Sequence, residues 1–250
     1  MITGLLSCSP GTHAEPVEIH FGIAPEAVAD GVIVRSLQFY IHDVELLDEQ
    51  GTPHPLRLTA AAPWQAEAVA LVDLAGNAEA QRHSTISGTP PSGASTSYAG
   101  IRFTVGVPFA LNHANPLTAA APLDRGDLFW TWQSGYKFLR ADFAAQGRES
   151  SFHLGSTGCS SASALRPPAM PCAQPNRMRV ELKGDPVGGV IRFHLAALVA
   201  AALAANHAAC AGNYAHDPAC RDAYASTALQ PDSGVCPDDY CARQKLWTLE

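Results

Sequence analysis

The feature that most constrains this chain is a succession of strand-length apolar runs set apart by turn residues. Residues 17–23, 31–47 and 68–74 alternate or run apolar with β-branched side chains, and Asp48-Glu49-Gln50-Gly51 reads as a turn closing the second run. Further runs cover residues 99–107, 127–142, 148–154, 176–183 and 189–195, with a turn at Ala145-Gln146-Gly147. Residues 84–98, rich in Ser, Thr, Gly and Pro, read as a loop or loose hairpin. Residues 196–209 break the pattern, because alanine with Leu198, Val199 and Leu203 favours helix. About ten strands and one helix predict an all-β fold, an antiparallel β-sandwich with one short C-terminal helix and disulfide-bearing loops.

At 250 residues the chain is long enough to bury a full core, and it divides into a leader or linker over 1–14 and a single domain over 15–250. With 47% hydrophobic and 16% charged residues it is a folding sequence rather than a disordered one. A net charge of -7 argues against nucleic acid or an anionic membrane as partner and leaves room for a metal cation. Cys8 follows Leu5-Leu6-Ser7, which reads as the end of a lipoprotein export signal, so any membrane attachment is expected through lipid on Cys8. Leu249-Glu250 reads as a cloning remnant.

The other six cysteines show no Cys-x-x-Cys zinc pattern. Their spacing suits Cys159 with Cys172, Cys210 with Cys220 and Cys236 with Cys241, the simplest of the roughly fifteen pairings that six cysteines allow. Disulfides imply an oxidising compartment, here periplasm or cell envelope; buried thiols in a cytosolic protein are the alternative.

A Gly-x-Ser-x-Gly elbow, a phosphate loop, a His-Glu-x-x-His helix and an EF-hand loop are all absent, and nothing singles out a Ser/His/Asp triad. Ten histidines are the better lead, since imidazole is the commonest transition-metal ligand. His13, His54, His83, His207 and His216 fall in polar or loop contexts and read as surface residues; His42 and His194 fall within strands and read as structural. His113 and His153 bracket the run Phe129-Trp130-Thr131-Trp132-Gln133. If that run is extended, Trp130 and Trp132 share a face and Thr131 points the other way. A plain sandwich core with an aromatic pair explains the same residues.

Several segments extend the reading: Leu37-Gln38-Phe39-Tyr40, Ala70-Leu71-Val72-Asp73-Leu74, residues 103–109, Leu111-Asn112-His113, residues 129–138, His153-Leu154-Gly155-Ser156-Thr157-Gly158-Cys159 and Pro175-Asn176-Arg177. In order and spacing they resemble the MbnP-like copper-binding proteins over roughly residues 17–200. The WxW run with its Gln-Ser-Gly-Tyr-Lys tail and the run beginning at His153 are the most specific parts.

The resemblance implies an exported copper-binding protein of copper homeostasis rather than an enzyme. In that family the first tryptophan of the WxW run is oxidised to kynurenine by a partner diheme peroxidase. Trp130 is the matching residue, and an MbnH-like diheme cytochrome c peroxidase the implied partner. An indole N–H only donates, whereas ring opening creates an aryl amine and a ketone able to face a metal. The implied metal residues are His113, His153 and modified Trp130, with Trp132 left for packing or electron relay. His20 is a further candidate because residues 17–21 look like a first strand passing beneath the site; His42 is a weaker one. Copper suits such a nitrogen-rich set. Met170 has no Met-rich surroundings to support it as a Cu(I) ligand. The chain departs from the family pattern in lacking a cysteine between residues 17 and 40 and in its more numerous C-terminal cysteines, so the family's disulfide map does not transfer. A competing expectation is an extracellular module whose Trp130 and Trp132 form an exposed platform for sugar or protein. The copper reading instead expects Trp130 partly buried beside imidazoles.

Overall fold

The computed structural model describes residues 14–26, 31–75, 82–94, 97–205, 209–212 and 217–250; Cys8, His13, His207 and His216 lie outside them. The first half of the chain forms β1 (Val17–Ile23), β2 (Ile33–Leu47), β3 (Pro53–Pro55), β4 (Arg57–Leu58), β5 (Gln65–Ala66), β6 (Val69–Asp73), β7 (Thr85–Thr89) and β8 (Gly100–Val105). The second half forms β9 (Phe129–Thr131), β10 (Gly135–Ala145), β11 (Arg148–Gly155), β12 (Met178–Lys183), β13 (Val190–Phe193), β14 (Ala209–Ala211) and β15 (Trp247–Leu249).

The strands make a five-stranded sheet, β15-β13-β1-β7-β4, and a ten-stranded sheet whose spine is β12-β8-β2-β10-β11-β14. Pairing is antiparallel except for β1 with β13 and β11 with β14. Both parallel pairs join strands far apart in sequence, where no tight hairpin dictates direction. That is why the expected all-antiparallel arrangement is a mixed one here.

Alternation places Ile19 and Phe21 of β1 against Leu37, Phe39 and Ile41 of β2 and Leu139, Ala141 and Phe143 of β10, closing one core between the sheets. Trp247 is its centrepiece, packed edge-on to Phe39, Phe103 and Phe193 at 4.6, 5.8 and 4.8 Å. The strand that carries it, β15, was not foreseen. Leu249 pairs with Ile191, and Glu250 exchanges both backbone hydrogen bonds with Val190, so the presumed remnant is part of the sheet.

Three further differences are local. The Ser/Thr-rich stretch yields β7, because Ile86 and Gly88 alternate inward. The expected strand over 127–142 is cut by a turn at residues 132–134 into β9 and β10. Besides the expected helix α2 (Ala196–Ala205), single-turn helices form, among them α1 (Phe109–Asn112). Among the described residues no helix is long and apolar enough to cross a membrane.

The ten-stranded sheet is covered on its outer face as well. Tyr40, Val69, Leu71, Tyr136 and Phe138 form a second cluster with Val107, Leu123 and Leu128, which come from the excursion between β8 and β9. This double coverage explains why residues 37–42 of β2 are buried without interruption. The Tyr40 hydroxyl donates to Pro122 O at 3.0 Å and that of Tyr136 to Leu123 O, pinning the excursion to the sheet.

Candidate metal centre

The excursion delivers His113 at the end of α1, 8% exposed. The backbone N–H of Tyr136 donates to Asn112 Oδ1 at 2.9 Å, which fixes the amide so that Asn112 Nδ2 donates to His113 Nε2 at 3.2 Å. His113 Nδ1 therefore carries the proton and donates to Trp132 O at 3.1 Å. The result is a neutral imidazole with its Nε2 lone pair held by an exchangeable amide. Burial pushes the His113 pKa down, the nearby Arg177 guanidinium acts in the same direction, and the Trp132 carbonyl opposes them.

His153 sits on β11 between Phe152 and Leu154, which enter the sandwich core, so its side chain faces outward on the ten-stranded sheet. Its Nε2 donates to Asp142 Oδ1 at 2.7 Å, so Nδ1 is the nitrogen turned away from the carboxylate. Burial raises the Asp142 carboxyl, but hydrogen bonds from His153 and Arg140 outweigh it and leave the pKa below the ordinary carboxylate value. Arg140 also reaches Asp127, which is gripped by Arg125 through two hydrogen bonds, so the orienting carboxylate belongs to a charged network.

Trp130 lies over the same strand. A Cβ on Gly155 would fall 2.5 Å from its Cζ3 and 3.0 Å from its Cη2, so glycine is what lets the indole rest on β11. Gly155 is two residues beyond His153 on the same face, and next to it the Ser156 hydroxyl accepts from Asn112 Nδ2 at 3.4 Å. Trp130 and His153 thus share the end of β11, and Asn112, the neighbour of His113, reaches the residue that follows it. Trp130 is partly buried. Trp132 is not on the strand that carries Trp130: in the turn after β9 it meets Phe129 edge-on at 6.4 Å.

His20 is placed elsewhere. It alternates with Ile19 and Phe21 on β1 of the other sheet, bonds Thr85 Oγ1 at 3.1 Å, and is separated from His113 and His153 by the sandwich core. His42 is on the outer face of β2, 5% exposed; Asp43 Oδ2 lies 2.9 Å from Nδ1 but off the N–H direction, so neither ring nitrogen is hydrogen-bonded. His54 bonds Asp48 at 3.1 Å, and His83 stacks on Trp64 at 4.9 Å rather than lying free on the surface. His194 is structural as expected, tied to Glu26 and, at 2.7 Å, to Thr248 Oγ1. Met170 is exposed.

The three disulfides join Cys159 to Cys172, Cys210 to Cys220 and Cys236 to Cys241, the neighbour pairings expected. The first packs against the site: His113 Nε2 and the two sulfurs lie within 4.8 Å of one another. Bonded to each other, those sulfurs are not thiolates and contribute little to a metal. Asp142 and Asn112 were missed as partners of the imidazoles. The β10–β11 register pairs Arg140 with His153, which makes Asp142 its diagonal neighbour, so the hairpin turn at 145–147 was the signal that could have found Asp142.

Fold and site together define a disulfide-bearing β-sandwich protein with His153 and Trp130 on the outer face of its larger sheet and His113 in the excursion that covers that face. Its sequence matches the MbnP family model over residues 13–218, and the chain belongs to that family. Among solved structures it is similar to MbnP from Methylosinus trichosporium, with a TM-score of 0.72 and 23% identity over 94% of this chain and 98% of that one. No curated protein matches it.

Proposed function

We propose that this protein is an exported copper-binding protein of copper homeostasis, not an enzyme, which holds one copper ion with His113, His153 and a Trp130 oxidised to kynurenine by a diheme peroxidase. The observation that carries the reading is that each imidazole is oriented through one ring nitrogen, His113 Nδ1 by Trp132 O and His153 Nε2 by Asp142, which turns His113 Nε2 toward only a displaceable amide and leaves His153 Nδ1 as the other nitrogen, while Trp130 lies over Gly155 two residues from His153. Imidazoles oriented through the other ring nitrogen are the usual second-shell arrangement of metal sites, and an all-nitrogen set favours copper among first-row divalent ions.

Trp130 meets Gly155 through its six-membered ring. The Cγ–Cδ1 bond that kynurenine formation opens belongs to the other ring. Leu165 and Met170, both exposed, lie in the loop whose Ala164 carbonyl accepts from the Gln133 N–H, which suits docking of a protein partner beside the tryptophan run. His20 has no part in this site. The sugar-platform alternative calls for two exposed indoles, whereas Trp130 and Trp132 are each partly buried, which favours the copper reading.

The test is peptide mass analysis and metal quantitation on protein coexpressed with a diheme peroxidase. A gain of about 4 Da on the peptide holding Trp130, with one copper per chain that His113→Ala and His153→Ala each abolish, is the expected result. Stoichiometric copper in either variant would sink the site assignment.

A further inference from the structure

His113 faces a second set of potential ligands, and nothing in the copper reading uses it. We infer that reduction of Cys159–Cys172 turns this corner into an alternative site for a thiophilic metal ion such as Zn²⁺ or Cu⁺, bound by the two thiolates and by His113 Nε2, which a given chain lends either to this site or to the proposed copper site. The three atoms already lie within 4.8 Å of one another, with Nε2 3.9 Å from Cys172 Sγ. A tetrahedral ion with bonds of about 2.3 Å to sulfur and 2.0 Å to nitrogen asks for separations of roughly 3.5–3.8 Å. On the Cys172 side the nitrogen is within a few tenths of an ångström of that separation, and once their bond is broken the sulfurs part by side-chain rotation.

The cysteines stay together without their bond. Thr157 and Gln174 exchange backbone hydrogen bonds of 2.9 and 3.1 Å, and Ala173 N donates to Gly158 O at 3.2 Å, so Cys159 and Cys172 occupy the next rung of a small antiparallel ladder. Asn176 braces its base by donating to Gly155 O and Thr157 Oγ1 at 2.8 and 3.1 Å. The imidazole is equally fixed, with Nδ1–H on Trp132 O and the Nε2 lone pair on Asn112 Nδ2, a weak donor that an ion displaces. Cys159 is partly exposed while Cys172 is buried, so an attacking thiolate enters at Cys159.

The chemistry balances with a dithiol as reductant. Two electrons and two protons pass to the protein disulfide, leaving the reductant as its own cyclic disulfide and the chain with two thiols. Metal binding then releases the two thiol protons.

The test uses the full chain, reduced with dithiothreitol, freed of it without oxygen, and titrated with Zn²⁺ against a chromogenic chelator. Reduced wild type is expected to bind one zinc more than reduced Cys159→Ser/Cys172→Ser, a comparison that cancels zinc held by the other four cysteines. His113→Ala should weaken that extra zinc by at least about tenfold. His153→Ala should leave it unchanged, which separates this site from the proposed copper site. Equal zinc in wild type and the double variant, unchanged affinity in His113→Ala, or loss of the β-sheet circular dichroism on reduction would each overturn the inference.

Discussion

At the scale of single residues, the site is governed by side chains that touch no metal. Asp142 is the sharpest case. Replacing it by Asn preserves an acceptor for His153 Nε2–H but removes the charge and weakens the tie to Arg140, now 2.6 Å away. On the proposed function, copper affinity of protein carrying the modified Trp130 should fall about 10- to 100-fold, the usual cost of losing an outer-shell partner. Asp142→Leu, which leaves no acceptor, should in addition shift the His153 proton between its nitrogens. A chelator competition reads the first effect and ¹⁵N imidazole chemical shifts of the metal-free protein read the second; an unchanged tautomer in Asp142→Leu would show that Asp142 only stabilises the sheet. Of these residues the histidines and Trp130 were legible as motif members. Asp142 was not, because its role depends on a diagonal contact across a hairpin.

At the scale of elements, one close approach decides whether the excursion between β8 and β9 can place His113. Gly135, at the start of β10, has φ +79° and sits where a Cβ would fall 2.4 Å from the Asn112 carbonyl oxygen and 2.5 Å from Asn112 Nδ2. Gly135→Ala must bear a left-handed backbone, costing about 1–2 kcal/mol, and must also displace Asn112. The Tyr136 N–H would lose its acceptor. The expected outcome is a lower urea midpoint together with faster amide exchange at Tyr136; a lower midpoint with full Tyr136 protection would mean that Asn112 holds its place and the strain is absorbed elsewhere. The same turn explains the misplacement of Trp132 from sequence. Alternation holds for extended backbone, and a run of aromatic residues hides that residues 132–134 reverse direction.

At the scale of the whole molecule, burial keeps several imidazoles neutral. His42, His83 and His113 all have pKa values pushed below the ordinary 6.5, chiefly by desolvation. At His42 the Asp43 carboxylate opposes this and Arg177 reinforces it. Between 6.5 and the lower folded values the unfolded chain binds more protons than the folded one, so stability rises with pH across that window and is lost on acidification through it. Asp142 adds a loss of the same sign once the pH drops below the ordinary 3.8 toward its depressed folded value. Urea midpoints of the metal-free protein should therefore fall between pH 7 and pH 5.5, and His42→Gln should flatten part of that fall; a midpoint independent of pH there would contradict the neutral buried state. The sequence by itself determined the strand-rich architecture, the neighbour disulfides and the motif residues, because hydrophobic alternation, short loop closure and local motifs are written in adjacent positions. Only the tertiary structure decided that His20 belongs to the opposite sheet, that Trp247 and β15 complete the core, and that Trp130 rests on Gly155 beside His153. Those outcomes depend on which distant strands pair and which faces they bury, and a period of two along one strand says nothing about its partner.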